Sequence, residues 1–177
     1  MEFRDLTAED IDVRIQSVKQ SGLVLLLYKD ARVDMAVLDE TVGAENWQRE
    51  HYECKGNLFC RVGIRVTTEG SKSEWVWKSD CGVESNTEAQ KGEASDSFKR
   101  ACFNWGIGRE LYTSPFIWIP KEKCTIQNGK CYDRFVVERI KVENKRITAL
   151  SILNMSLPGS KASDKRVFLM MPKEDKE

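Results

Sequence analysis

Histidine is almost missing from this chain: His51 is the only one among 177 residues. A Ser-His-Asp constellation or an imidazole-built metal cluster would lack its base or most of its ligands. Six cysteines are present (Cys54, Cys60, Cys81, Cys102, Cys124, Cys131), but no CxxC pair sets two thiolates on one metal. They read as reduced, structural thiols, and Cys81 or Cys102 as a nucleophile would have only the distant His51 as a base. No apolar run approaches the roughly 20 residues that a membrane helix needs; LVLLLY at 23–28 is strand-sized. No basic stretch followed by an apolar one opens the chain, so the expected location is the cytoplasm. Net charge is absent as well, with 28 basic and 28 acidic residues, which excludes a wholesale polyelectrolyte binder. Phosphate-binding P-loops are lacking. The GIG at 106–108 follows a helical pattern instead of joining a strand to a helix, so it is no dinucleotide fingerprint. No repeat or low-complexity tract occurs.

What remains is an ordinary globular composition, 41% hydrophobic and 32% charged, that fits one domain over 1–177. Thr7-Ala8-Glu9-Asp10 carries a helix-start signal, and Ile11, Ile15 and Val18 keep helical spacing toward Gly22. A strand follows in LVLLLYKD, then a helix from about Ala31 to Val42, ended by Gly43. In LFCRVGIRVTT, residues Leu58, Cys60, Val62, Ile64 and Val66 alternate with Phe59, Arg61, Gly63, Arg65 and Thr67, a period of two. If the EGSK loop is a four-residue hairpin, Val66 faces Trp75 and Ile64 faces Trp77. Both tryptophans then belong to the core, and Arg61, Arg65 and Lys78 share the polar face. A capping box at Thr87 and Gln90 opens a helix running to about Trp105. FIWIP reads as a short edge strand, YDRFVVERIKVE and KRITALSILNM as strands joined at Glu143-Asn144-Lys145. LPGSKASDKR reads as a loop, VFLMM as a last strand and PKEDKE as a tail. The fold class expected is α+β, an antiparallel sheet covered by the long helix.

Chemistry concentrates in SDSFKRACFNWGIGREL, residues 95–111. Phe98, Ala101, Cys102 and Trp105 form one apolar helix face. Lys99 and Arg100 stand between them, and Asp96 is placed to pair with Arg100 at i+4. A solvated flank is the plain explanation. Arg61, Arg65 and Lys78 on the neighbouring hairpin favour a cationic groove instead, suited to a phosphodiester backbone. Among the aromatics, Tyr28 at the end of its strand is freest to stack on a base.

The stretch DCGVESNTEAQKGEASDSFKRACFNWGIGRELY resembles the signature of Rad-fifty-two-like single-strand annealing proteins, above all their small phage Sak-type members. It has a hairpin, a glycine-containing turn and a helix with D-x-x-K-R-A before an aromatic-glycine step. LLLYKDARVDMAVLDETVGAENWQ is similar to the same family's strand-helix-Gly-x-x-x-Trp segment. Together the resemblance spans 7 to about 112, with 113–170 as additional strands and 171–177 as a tail. It implies a non-enzymatic protein without cofactor or metal, forming rings or arcs with a positive groove that holds single-stranded DNA. It implies backbone contacts for Lys99 and Arg100, a groove position for Tyr28, and a counterpart in Arg14. A further arginine of the family falls on Phe103, and Arg109, Arg61 and Arg65 are the candidates to supply its charge. A single-strand DNA-binding protein is a candidate partner and a membrane is not. An RNA- or duplex-binding module using the same cations and a metal-dependent nuclease with clustered carboxylates are the alternatives.

Overall fold

Val13 and Ile15 alternate with Asp12, Arg14 and Gln16, and this period of two decides the first regular element. It is a strand, β1 (Asp12–Lys19), and not the helix that the spacing of Ile11, Ile15 and Val18 suggested. The capping signal at Thr7 produces only one 3₁₀ turn, Ala8–Asp10, in which the Thr7 N–H and hydroxyl donate to Asp10 Oδ2 at 2.8 and 2.9 Å. A bulge between Ile15 and Ser17 shifts the register once, and with it the apolar spacing that looked helical.

This computed structural model describes residues 1–67, 72–83 and 89–172. Thr87 of the expected capping box, most of the EGSK loop and the tail from 173 lie outside the described residues, so the box itself is not described. In chain order, β1 is followed by β2 (Gly22–Tyr28), α1 (Ala31–Val42), β3 (Trp47–Cys54), β4 (Asn57–Val66) and β5 (Glu74–Cys81). Then come α2 (Ala89–Trp105), β6 (Ile117–Pro120), β7 (Ile126–Gln127), β8 (Lys130–Cys131), β9 (Phe135–Glu143), β10 (Arg146–Asn154), α3 (Ala162–Lys165) and β11 (Arg166–Met170). Every strand pairing described is antiparallel. The short β7–β8 hairpin turns at Asn128-Gly129, both at positive φ, the pair that a two-residue turn prefers, and the expected LPGSKASDKR loop contains the single turn of α3. Among the described residues no helix is long and apolar enough to cross a membrane.

The chain divides into two units interleaved in sequence. The first comprises Met1–Arg4 and Ala31–Gly108. Its sheet has the order β3-β4-β5, and its core joins Val37 and Leu38 of α1, Cys60, Val62 and Ile64 of β4, and Phe98, Ala101 and Cys102 of α2, with Phe3. The apolar stripe read along α2 is therefore its buried face. Gly106, at φ 108°, ends the helix. Its N–H donates to the Phe103 carbonyl and that of Ile107 to Cys102, the 6→1 closure that favours glycine. Near the other end, α2 crosses β5 so closely that a Cβ on Gly82 would lie 2.1 Å from the Glu93 carbonyl oxygen.

Register in the β4–β5 hairpin differs by one residue from the expectation. Val66 pairs with Glu74, Arg65 with Trp75, Ile64 with Val76 and Gly63 with Trp77. A shift of one residue moves every side chain of a strand to the other face. Trp75 and Trp77 thus leave the core side, and Lys78 and Asp80, opposite Val62 and Cys60, join it.

The second unit comprises Asp5–Asp30 and Arg109–Glu177. Its sheet order is β11-β10-β9-β1-β2-β6, with β6 at one edge as its proline suggested. Leu23, Leu25 and Leu27, Ile117 and Ile119, and Leu150 and Ile152 are buried in it. Asn144 and Lys145 both take positive φ, 51° and 59°, in the two-residue turn joining β9 to β10.

Candidate nucleic-acid interface

The basic flank of α2 is set by what fixes its opposite face. Phe98 is fully buried and stacks on Trp47 at 6.1 Å between centroids, with the Arg49 guanidinium 4.7 Å from the ring. Two turns on, Trp105 Nε1 donates to the Val62 carbonyl at 2.9 Å. Each helical residue turns the side chain by about 100°, so Lys99 and Arg100 leave the core face in succession, and both are half-buried.

Arg100 reaches the neighbouring strand, where its Nε lies 3.3 Å from Asp80 Oδ1. The two side chains are 42% and 25% exposed, so solvent screens the pair and its worth is at most about 1 kcal/mol. Asn104, one turn later, donates to the Ser79 carbonyl at 3.0 Å. Lys78 Nζ donates to the Asn104 carbonyl at 2.9 Å and sits 4.5 Å from the Trp105 ring, a cation at the negative end of the helix. Asp96, the expected partner of Arg100, accepts the Val83 N–H at 3.1 Å. Asp80 carried no signal in the sequence, because only the register brings it to this side.

Arg61 and Arg65 do not join this seam. They lie on the opposite face of the sheet, with Arg61 4.5 Å from the Trp77 ring and Arg65 5.3 Å from that of Trp75. Arg61 also donates from Nε and Nη2 to Glu50 Oε2 at 3.0 and 2.6 Å. Of the three hairpin cations expected beside the helix, Lys78 alone lies on the helix side.

The other candidates belong to the second unit. Arg14 stands 5.7 Å from the Tyr28 ring, since β1 and β2 pair Asp12 with Tyr28 and Arg14 with Leu26 on one face. Partial desolvation, then the Asp12 charge, raises the Tyr28 hydroxyl above its ordinary pKa, against the opposing effect of Arg14. Arg109 is exposed at the start of the Arg109–Thr113 turn. In the first unit, the lone histidine His51 has its Nε2 3.1 Å from the Ala94 carbonyl of α2. Among the described residues, no group of three or more His, Cys, Asp or Glu side chains could hold a metal ion.

Residues 3–130, more than half of the chain, match the family described as Rad52/22 family double-strand break repair protein. The single-stranded DNA-binding protein DdrA of Deinococcus radiodurans is 31% identical over 102 residues, 58% of this chain and 47% of that protein. The chain thus spans about half the length of the curated relative it matches. No solved structure matches.

Proposed function

This chain belongs to the Rad52/22 family of double-strand break repair proteins, and from that membership we propose that it binds single-stranded DNA and anneals complementary strands in recombination and repair. Lys99 and Arg100 hold the phosphate backbone. The observation that carries this reading is their placement: adjacent cations on a helix whose other face is locked into the core, with Arg100 drawn toward β5 by Asp80. Similarity to a single-stranded DNA-binding protein supports the choice of polymer. Phosphate contacts read no bases, so one strand is held in a sequence-independent way. Neutralised strands repel each other less, and base pairing supplies the free energy of annealing, so the process needs neither catalysis nor a cofactor. Homo-oligomers, ring-like or helical, would line up these sites along a strand, in the cytoplasm and alongside a single-strand DNA-binding protein. Arg14 and Tyr28 form a further candidate contact within their own unit.

The test is the salt dependence of oligonucleotide binding by Lys99→Ala/Arg100→Ala. Affinity should fall about equally for all single-stranded sequences, and the log–log salt slope should flatten by roughly 0.7 per lost contact. Competition with duplex DNA and RNA separates single-strand DNA binding from the alternatives. A folded double variant that binds and anneals with an unchanged slope overturns the assignment.

A further inference from the structure

The register that expels the two tryptophans from the core builds a second surface. On the face of β3-β4-β5 away from α1 and α2, Trp75 and Trp77 lie 6.2 Å apart between ring centroids, and Tyr52 stacks on Phe59 at 5.6 Å with 23° between planes. All four rings are half-buried and none belongs to the core cluster. Trp77 lies down on the sheet at Gly63, where a Cβ would come within 2.8 Å of its ring. Gly63 leaves the space that this flat placement needs. Glu50 offsets the Arg61 charge, so Arg61 offers mainly a planar guanidinium, whereas exposed Arg65 carries its charge beside Trp75.

Flat aromatic rings on a sheet, interleaved with arginines, match the chemistry of unpaired bases on a polyanion. From Phe59 to Arg65 the strand runs about 20 Å, a length suited to two or three stacked bases. We propose that this face is a stacking platform for the bases of single-stranded nucleic acid, separate from the phosphate contacts on α2. It rests on the proposed function only for the kind of polymer bound. The charge at Arg65 and the planar surfaces favour a nucleic acid over an apolar protein partner.

The full chain is titrated with a deoxythymidine oligonucleotide and with an abasic strand of equal length, which keeps the phosphates and lacks the bases. The base-bearing strand should bind about tenfold or more tightly per stacked base and quench tryptophan emission, and the abasic strand should leave emission unchanged. Trp75→Leu/Trp77→Leu should remove most of the preference for the base-bearing strand. Tyr52→Ala, at the other end of the platform, should lower it without disturbing the Trp77 packing, which keeps the test open if the double variant does not fold. Lys99→Ala/Arg100→Ala should weaken both strands alike and preserve their ratio. Equal binding of the two strands by the unmodified protein overturns the platform, whatever the α2 variant does. So does an unchanged ratio in the folded aromatic variants, including one in which their only effect is loss of self-association. Conversely, loss of the ratio in the aromatic variants together with no effect of the α2 variant supports the platform and overturns the α2 assignment.

Discussion

The Arg100 guanidinium meets the Asp80 carboxylate across the seam between α2 and β5, Nε to Oδ1 at 3.3 Å. Asp80 also accepts the Cys81 N–H at 2.8 Å, so it is tied to its own strand while it steers the arginine. If Arg100 takes a phosphate as proposed, the carboxylate that orients it is also that phosphate's competitor.

These two roles separate by substitution. Asp80→Asn keeps an oxygen for Arg100 and for the Cys81 N–H but removes the negative charge. Single-stranded DNA binding at low salt should tighten a few-fold, in line with a screened pair worth under about 1 kcal/mol. Asp80→Ala removes the orienting acceptor as well and should lose that gain. Fluorescence anisotropy at two salt concentrations checks both.

Gly82 lies where α2 crosses the sheet. An added Cβ would lie 2.1 Å from the Glu93 carbonyl oxygen and 2.9 Å from the Ser97 nitrogen, and both are backbone atoms that yield only if the helix moves. Gly82→Ala should therefore destabilise the protein by about 3 kcal/mol, the upper end for overpacking. The midpoint of urea unfolding reports it. A change below about 0.5 kcal/mol would show that the helix shifts freely.

Neighbouring positions on α2 should behave in opposite ways. Phe98 is fully buried, and Phe98→Ala should cost about 3–5 kcal/mol. Lys99, the next residue, is off the core face, and Lys99→Ala should change stability by less than about 0.5 kcal/mol. Urea titrations of the two variants test whether the helix face is assigned correctly.

Arg166 donates to Glu138 from Nε and Nη2 at 2.7 and 2.6 Å. These hydrogen bonds come first among the causes that hold the Glu138 carboxyl below its ordinary pKa. A carboxylate depressed in the folded state stabilises fully above its ordinary pKa, and the contribution disappears as pH falls through the lower, folded value. Arg166→Gln should thus lower stability at neutral pH and narrow its gap from the unmodified protein as the solution is acidified. Unfolding midpoints from pH 7 down to pH 3 check the sign.

Local patterns carried much of this architecture in plain view. Apolar spacing and Gly43 mark α1 between the same residues that the structure does, and Asn144-Lys145 announces its turn. The buried stripe of α2 follows from Phe98, Ala101, Cys102 and Trp105. Parity across the β4–β5 connection was not legible. Residues 67–73 separate the paired Val66 and Glu74, and a four-residue loop assumed there puts both tryptophans on the wrong face. The same parity decides that Asp80 faces α2. The N-terminal strand was hidden by its bulge, which gave Ile11, Ile15 and Val18 a helical spacing inside an extended chain.

Synthesis from the ribosome meets the interleaved units in an awkward order. The β1–β2 hairpin emerges early, yet β6 and β9, its neighbours in the six-stranded sheet, follow only after the whole Ala31–Gly108 segment. At about 5–20 residues per second, that wait is on the order of ten seconds. A lone two-stranded hairpin is at best marginally stable in water, and LVLLLY is its most apolar segment. For that interval the LVLLLY strand is made but lacks the sheet neighbours that bury it.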